Sequence, residues 1–179
     1  MTRLSPVIQR FVLHWGEMGT RWGVNRTVAQ VHALLYVSSR PLDAEEIAET
    51  LAVARSNVST SLRELESWGI VKPVHLLGDR REHYESMTDV WDMARVILNE
   101  RKRREINPTL AELRTCVAEL QKAGPEDAVT RQRLATMLEF LETVSSFYEE
   151  LQRMPTGAVR KILAGPGKVK KLFRRKGGP

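Results

Sequence analysis

Apolar positions in this chain fall first at helical spacing, then briefly at alternate positions, then at helical spacing again. In residues 5–18, Ile8, Phe11, Val12 and Trp15 share one face, Ser5 is placed to cap and Pro6 suits the first helical position. Gly16, Gly19 and Gly23 then interrupt the helical pattern. A second helix is expected from Arg26 to Val37 on Val28, Val31, Leu34 and Leu35, closed by Ser38-Ser39-Arg40-Pro41. Asp43 and Glu46 then stand at capping-box spacing before a short helix with Ile47, Ala48 and Leu51 inward. Ala52-Val53-Ala54 reads as a tight turn. The next helix runs from Arg55 to Trp68, with Val58, Leu62 and Leu65 as its buried stripe and Gly69 as its terminator.

The period changes at Ile70. Ile70–Leu77 reads as a strand, Gly78-Asp79-Arg80-Arg81 as a charged turn, and Glu82–Met87 as a return strand around Tyr84, so a β-hairpin with a basic tip is expected. From Asp89 the helical pattern returns. Ile106, Leu110, Leu113, Val117 and Leu120 step like a coiled-coil seam, and a last amphipathic helix spans 126–152. Pro108 either kinks one long helix or follows Asn107 as the cap of a new one. Gly124-Pro125 breaks the chain, and the stretch from Met154 reads as a mobile tail with a short turn at Val159–Leu163.

The pattern therefore predicts a mainly α fold with a small β-hairpin: a winged helix-turn-helix domain plus long C-terminal dimerisation helices. The expected divisions are an N-terminal helix in 1–24, the DNA-binding domain in 25–88, a helical dimerisation region in 89–152 and a basic tail in 153–179. The final helix is apolar over a wide face (Phe140, Leu141, Val144, Phe147, Tyr148, Leu151). Its partner is either the preceding helix of the same chain or, as the preferred reading, an intersubunit bundle.

Charge changes this picture less than the total suggests. The net charge is +6, yet nine basic and no acidic residues lie from Arg153 onward, so residues 1–152 carry −3. An argument for a nucleic-acid partner must rest on local placement. No apolar run approaches the roughly 20 residues of a membrane span, no signal-peptide pattern is present, and the single Cys116 excludes an internal disulfide. A cytoplasmic protein with no membrane partner is expected. The histidines His14, His32, His75 and His83 lack metal-ligand spacing, and no phosphate loop or nucleophile motif appears. Neither an enzyme, a cofactor nor a metal site is expected.

The local placement is informative. Opposite the Val58–Leu62–Leu65 stripe, the Arg55 helix carries Arg55, Ser56, Asn57, Ser59, Thr60 and Arg63. Short hydrogen-bonding side chains let a helix approach base edges in the major groove, where Asn pairs with adenine and Arg with guanine. Arg80 and Arg81 at the hairpin tip suit an adjacent minor groove. His83 beside them is either a phosphate contact or an exposed bystander. Taken alone, each feature is also ordinary soluble surface; their succession is what points to duplex DNA.

The succession Ala33-Leu34-Leu35-Tyr36, Pro41-Leu42, Glu46-Ile47-Ala48, Arg55-Ser56-Asn57-Val58-Ser59, Leu62-Arg63-Glu64-Leu65-Glu66-Ser67-Trp68-Gly69 and Gly78-Asp79-Arg80-Arg81 with Tyr84 resembles the GbsR/MarR-type transcription regulators. The resemblance spans roughly residues 7–150. It implies a winged-helix homodimer on an inverted-repeat operator, a repressor or activator tuned by a small-molecule effector such as a quaternary ammonium compound. Trp15, Trp22, Tyr36 and Trp91 are the candidate effector residues, since aromatic faces attract such cations; the same four also read as plain core. The alternative function is a non-specific nucleic-acid-binding, nucleoid-type protein that relies on its basic tail.

Overall fold

A computed structural model describes residues 4–122 and 127–163. The Gly124-Pro125 break and the basic run 168–176 lie outside the described residues. These form two compact units that divide between Val96 and Ile97, and no described helix is long and apolar enough to cross a membrane.

The first unit is built around a central helix. Helix α1 (Pro6–Arg21) starts where Ser5 accepts the Ile8 N–H, and α2 (Arg26–Val37) starts where Asn25 accepts the Thr27 N–H. Gly16 and Gly19, expected to interrupt α1, instead lie inside it. A Cβ at Gly16 would come within 2.6 Å of Gln30, and one at Gly19 within 2.5 Å of the Ala29 Cβ. The two helices thus touch along a surface that only glycine permits, and the packing compensates the entropy cost of glycine in a helix. Gly23, at φ 76°, turns the chain out of α1.

Helix α2 is buried from Val28 to Leu35. It packs against α1 and α4, so its residues Val28, Val31, Leu34 and Leu35 meet Val58, Leu62 and Leu65 in one core with Ile47, Ile70 and Val71. His32 sits within this helix at 4% exposure, its ring 6.3 Å from Tyr36 and its Nε2 without a partner. Burial pushes its pKa down from the ordinary 6.5 to about 4. The folded chain therefore takes up this proton later than the unfolded chain on acidification. Stability falls as pH drops through the window from 6.5 toward 4. Urea unfolding should show a loss of about 2 kcal/mol between about pH 7.5 and pH 5. His32→Leu should abolish most of it; an equal acid loss in that variant would clear His32 of the effect.

Strand β1 (Leu42–Asp43) leads into α3 (Ala44–Leu51), which opens on the expected capping box. Asp43 accepts from Glu45 and Glu46 N–H, and Glu46 accepts from the Asp43 N–H. Ala52 at φ 52° closes the turn into α4 (Arg55–Trp68), and Gly69 at φ 76° releases the chain into β2 (Val71–His75) and β3 (Glu82–Ser86). The expected hairpin is present, shorter at both ends. It belongs to a three-stranded antiparallel sheet ordered β1-β3-β2, whose first strand the sequence pattern does not announce.

Asp89 caps α5 (Val90–Arg101) by accepting the N–H groups of Trp91 and Asp92. A π-helical turn, Lys102–Ile106, continues directly into α6 (Asn107–Leu120). Asn107 has helical dihedrals and donates its N–H to Lys102 O, so it is not a cap. The wider turn accommodates Pro108, which has no N–H to offer and would crowd a regular turn.

In the second unit α6 packs antiparallel on α7 (Ala128–Arg153). Lys102–Glu149 (2.6 Å) and Arg114–Glu142 (2.8 Å) pair across the hairpin, and Arg131 donates to Leu120 O near its turn. The α6 seam faces α7 of the same chain, where Leu110 and Val117 are buried. A further helix, α8 (Thr156–Leu163), occupies what the sequence suggested was a mobile stretch with one turn. Pro155 O accepts the Ala158 and Val159 N–H groups to start it, and Arg160 and Lys161 complement the dipole at its end.

Candidate nucleic-acid interface

Helix α4 divides cleanly. Val58, Leu62 and Leu65 are no more than 1% exposed and hold it to α2 and α3. Arg55, Ser56, Asn57, Thr60 and Arg63 are exposed and Ser59 is half-buried. The side chains that face outward keep loose contacts. Arg55 lies 3.7 Å from Glu45, and Arg63 makes only 3.4 Å contacts to Ser59 O and Thr60 Oγ1. Ser61, not anticipated as buried, donates to Asn57 O and so is satisfied within the helix. The N-cap is Ala54, which makes no side-chain capping bond. Asn57 N–H donates to Ala54 O, and no side chain caps the Arg55 and Ser56 amides at the positive end of the dipole, the end of a helix that favours an anion.

The hairpin tip is tied down by charge. Gly78, at φ 83°, makes the turn, and Asp79 Oδ1 accepts from both the backbone and the side chain of Arg81 at 3.0 Å. The Arg81 guanidinium also reaches Asp43, with 2.6 Å contacts to each carboxylate, yet its side chain stays 62% exposed. The hydrogen bond to Asp79 raises the Arg81 pKa, and Arg81 holds the Asp79 carboxyl well below the usual carboxylate range. Arg80 is exposed and has no partner among the described residues. Lys72 pairs with Glu85 directly across the ladder at 2.9 Å. Tyr84, pushed up to about 12 first by burial and then by its bond to Glu82, stays a neutral donor.

Two positions correct the sequence reading. His83 is neither a surface bystander nor placed for a phosphate: it is 3% exposed, because β3 pairs on both sides and turns this residue inward opposite Asp43. Leu77, expected at the end of a strand, stands fully exposed in the turn. The signal for it was its position directly before Gly78.

The four aromatic candidates do not form one site. Trp15 and Trp22 meet edge-on at 6.4 Å, with Phe11 5.6 Å from Trp15. Tyr36 stands with His32, and Trp91 is half-buried on α5. A cleft of about 500 Å³ between the end of α2 and the base of the hairpin is lined by Tyr36, Arg40, Lys72 and Met87 among others, and by none of the tryptophans.

A helix-turn-helix followed by a β-wing defines the class: this is the winged-helix fold. Residues 22–82 match the family model described as MarR family. Among solved structures, the chain is similar to one described as a transcriptional regulator, at 22% identity with a TM-score of 0.63, covering 82% of this chain and 96% of that one. A mutant of MepR from S. aureus bound to an oligodeoxyribonucleotide matches at 18% identity and TM-score 0.39, covering 75% and 92%. A MepR–DNA complex from S. aureus matches at 15% and 0.35, covering 77% and 92%. Comparison with the curated proteins gave no match.

Proposed function

We propose that the chain is a sequence-specific DNA-binding transcription regulator that acts as a homodimer on an inverted-repeat operator. The observation that carries this reading is the pairing of two surfaces: the exposed polar face of α4, with its uncapped N-terminus, and an arginine wing fixed to the start of α3 through Asp43. In this reading Ser56, Asn57, Ser59, Thr60 and Arg63 read the major groove, while Arg55 and the α4 amides take phosphates. Arg80 and Arg81 enter the neighbouring minor groove, and Leu77 at the tip contacts the sugars there.

A second copy is supported by α7, which leaves Met137, Phe140, Val144 and Phe147 on one exposed face, between 48% and 66% accessible. Two-fold pairing sets the two α4 helices to successive turns of the duplex. An effector, in the manner of the quaternary ammonium compounds the resemblance implies, acts by binding two arrangements of the dimer unequally. Its candidate contacts remain Trp15 and Trp22, which already form an aromatic pair.

Selection of bound duplexes from a random pool tests the reading. The expected product is an inverted repeat with half-site centres about 10 base pairs apart, preferred over a scrambled duplex by ~10³-fold or more. Equal binding to every duplex would overturn it in favour of the non-specific, tail-driven alternative.

A further inference from the structure

Beneath the wing lies a cluster of which the DNA-binding reading uses only the Asp43–Arg81 tie. Strands β1 and β3 set Asp43 directly opposite His83, and both side chains are almost wholly buried, at 3% and 4% exposure. The capping box occupies Asp43 Oδ1, which accepts the Glu45 and Glu46 N–H groups at 2.8 and 2.9 Å. Oδ2 is left with no hydrogen bond and meets Arg81 only as an ion pair. His83 Nδ1 lies 3.1 Å from Arg81 O. A carbonyl can only accept, so Nδ1 carries a proton, which leaves Nε2 as the ring atom for a metal. Asp79 Oδ2 lies 3.7 Å from Nε2, beyond hydrogen-bond reach. The cation that now neutralises both Asp43 and Asp79 is the Arg81 guanidinium, 2.6 Å from each.

We propose that Asp43, Glu46 and His83 are the protein ligands of a divalent transition-metal ion held between the start of α3 and the wing. Their ligand atoms all lie within 4.8 Å of one another, and the ~2.0–2.2 Å bonds of zinc require the carboxylates to turn from Arg40 and Arg81 onto the ion. A histidine whose other ring N–H donates to a backbone carbonyl is in the orientation and tautomer that metal-bound histidines adopt. The imidazole favours zinc-like ions over magnesium or calcium, and the two carboxylates disfavour soft monovalent copper. Glu46 is now held by Arg40 and Asp43 by Arg81. The ion substitutes for both cations, so binding detaches the wing arginine from α3 and leaves it with Asp79 alone. The sequence reading missed this set because His83 lies far along the chain from Asp43 and Glu46, and only the β1–β3 pairing unites them.

The test titrates the full chain with Zn²⁺ in the absence of DNA, by calorimetry with a competing chelator and with Mg²⁺ in parallel. The expected result is one saturable Zn²⁺ site per chain, weakened at least about 10-fold by His83→Gln and by Glu46→Gln, and unchanged by His75→Gln. Imidazole ¹⁵N spectra of the unmutated chain should show His83 Nε2 shifting on Zn²⁺ addition while Nδ1 keeps its proton. An Nε2 that carries a proton and does not move, or Zn²⁺ affinity equal in all variants, overturns the site. Because no duplex is present, that failure would leave the proposed function standing.

Discussion

Arg81→Ala weakens binding to the selected operator by about 10- to 100-fold and lowers the slope of log affinity against log salt by about 1. Two losses combine. The duplex loses a cation that neutralises a phosphate, and the wing loses the group that ties it to Asp79 and Asp43 at 2.6 Å each. The two abandoned carboxylates then repel the backbone that Arg81 attracted. The buried Asp43 also loses its counter-charge, so thermal stability falls as well. Arg81→Lys separates the effects: it restores the charge and the salt slope but not the forked geometry, and regains only part of the affinity. Fluorescence anisotropy over a salt series reads both quantities. Affinity and slope unchanged in Arg81→Ala would remove the wing from the mechanism.

The largest expected loss comes from the other unit. Phe140→Asp with Phe147→Asp places two charges on the exposed face of α7, where the native rings are 64% and 66% accessible. Since α6 packs on the opposite side of α7, the chain stays folded. For the proposed homodimer, the mass in sedimentation falls from two copies to one of 20.4 kDa. Binding to a full inverted repeat then drops by ~10²-fold or more, as the second half-site contact ceases to be intramolecular, while binding to an isolated half-site changes little. A variant that still sediments as a dimer would show that the pairing surface lies elsewhere.

The contrast between α4 and the wing shows what was legible in the sequence. Helix α4 was legible to the residue, because a local stripe of Val58, Leu62 and Leu65, ended by Gly69, fixes both its limits and the side that faces out. The capping box at Asp43 was legible for the same reason. His83 was not: which way a hairpin residue faces depends on β1, a two-residue strand whose partner lies far along the chain. The glycines of α1 were misread because their fit against Gln30 and Ala29 is a property of a second helix. The α6 seam was recognised, but periodicity names a buried face without saying whose chain buries it. The aromatic candidates failed to assemble for a similar reason, since residue type carries no information about convergence.

Ala54 carries a consequence for anyone seeking to harden this protein against heat. Serine or aspartate there would complete the first turn of α4 and add about 1 kcal/mol. The same side chain would take the amides that a phosphate needs, and aspartate would oppose it with like charge. Thermal robustness and grip on the duplex therefore pull against each other at a single methyl group.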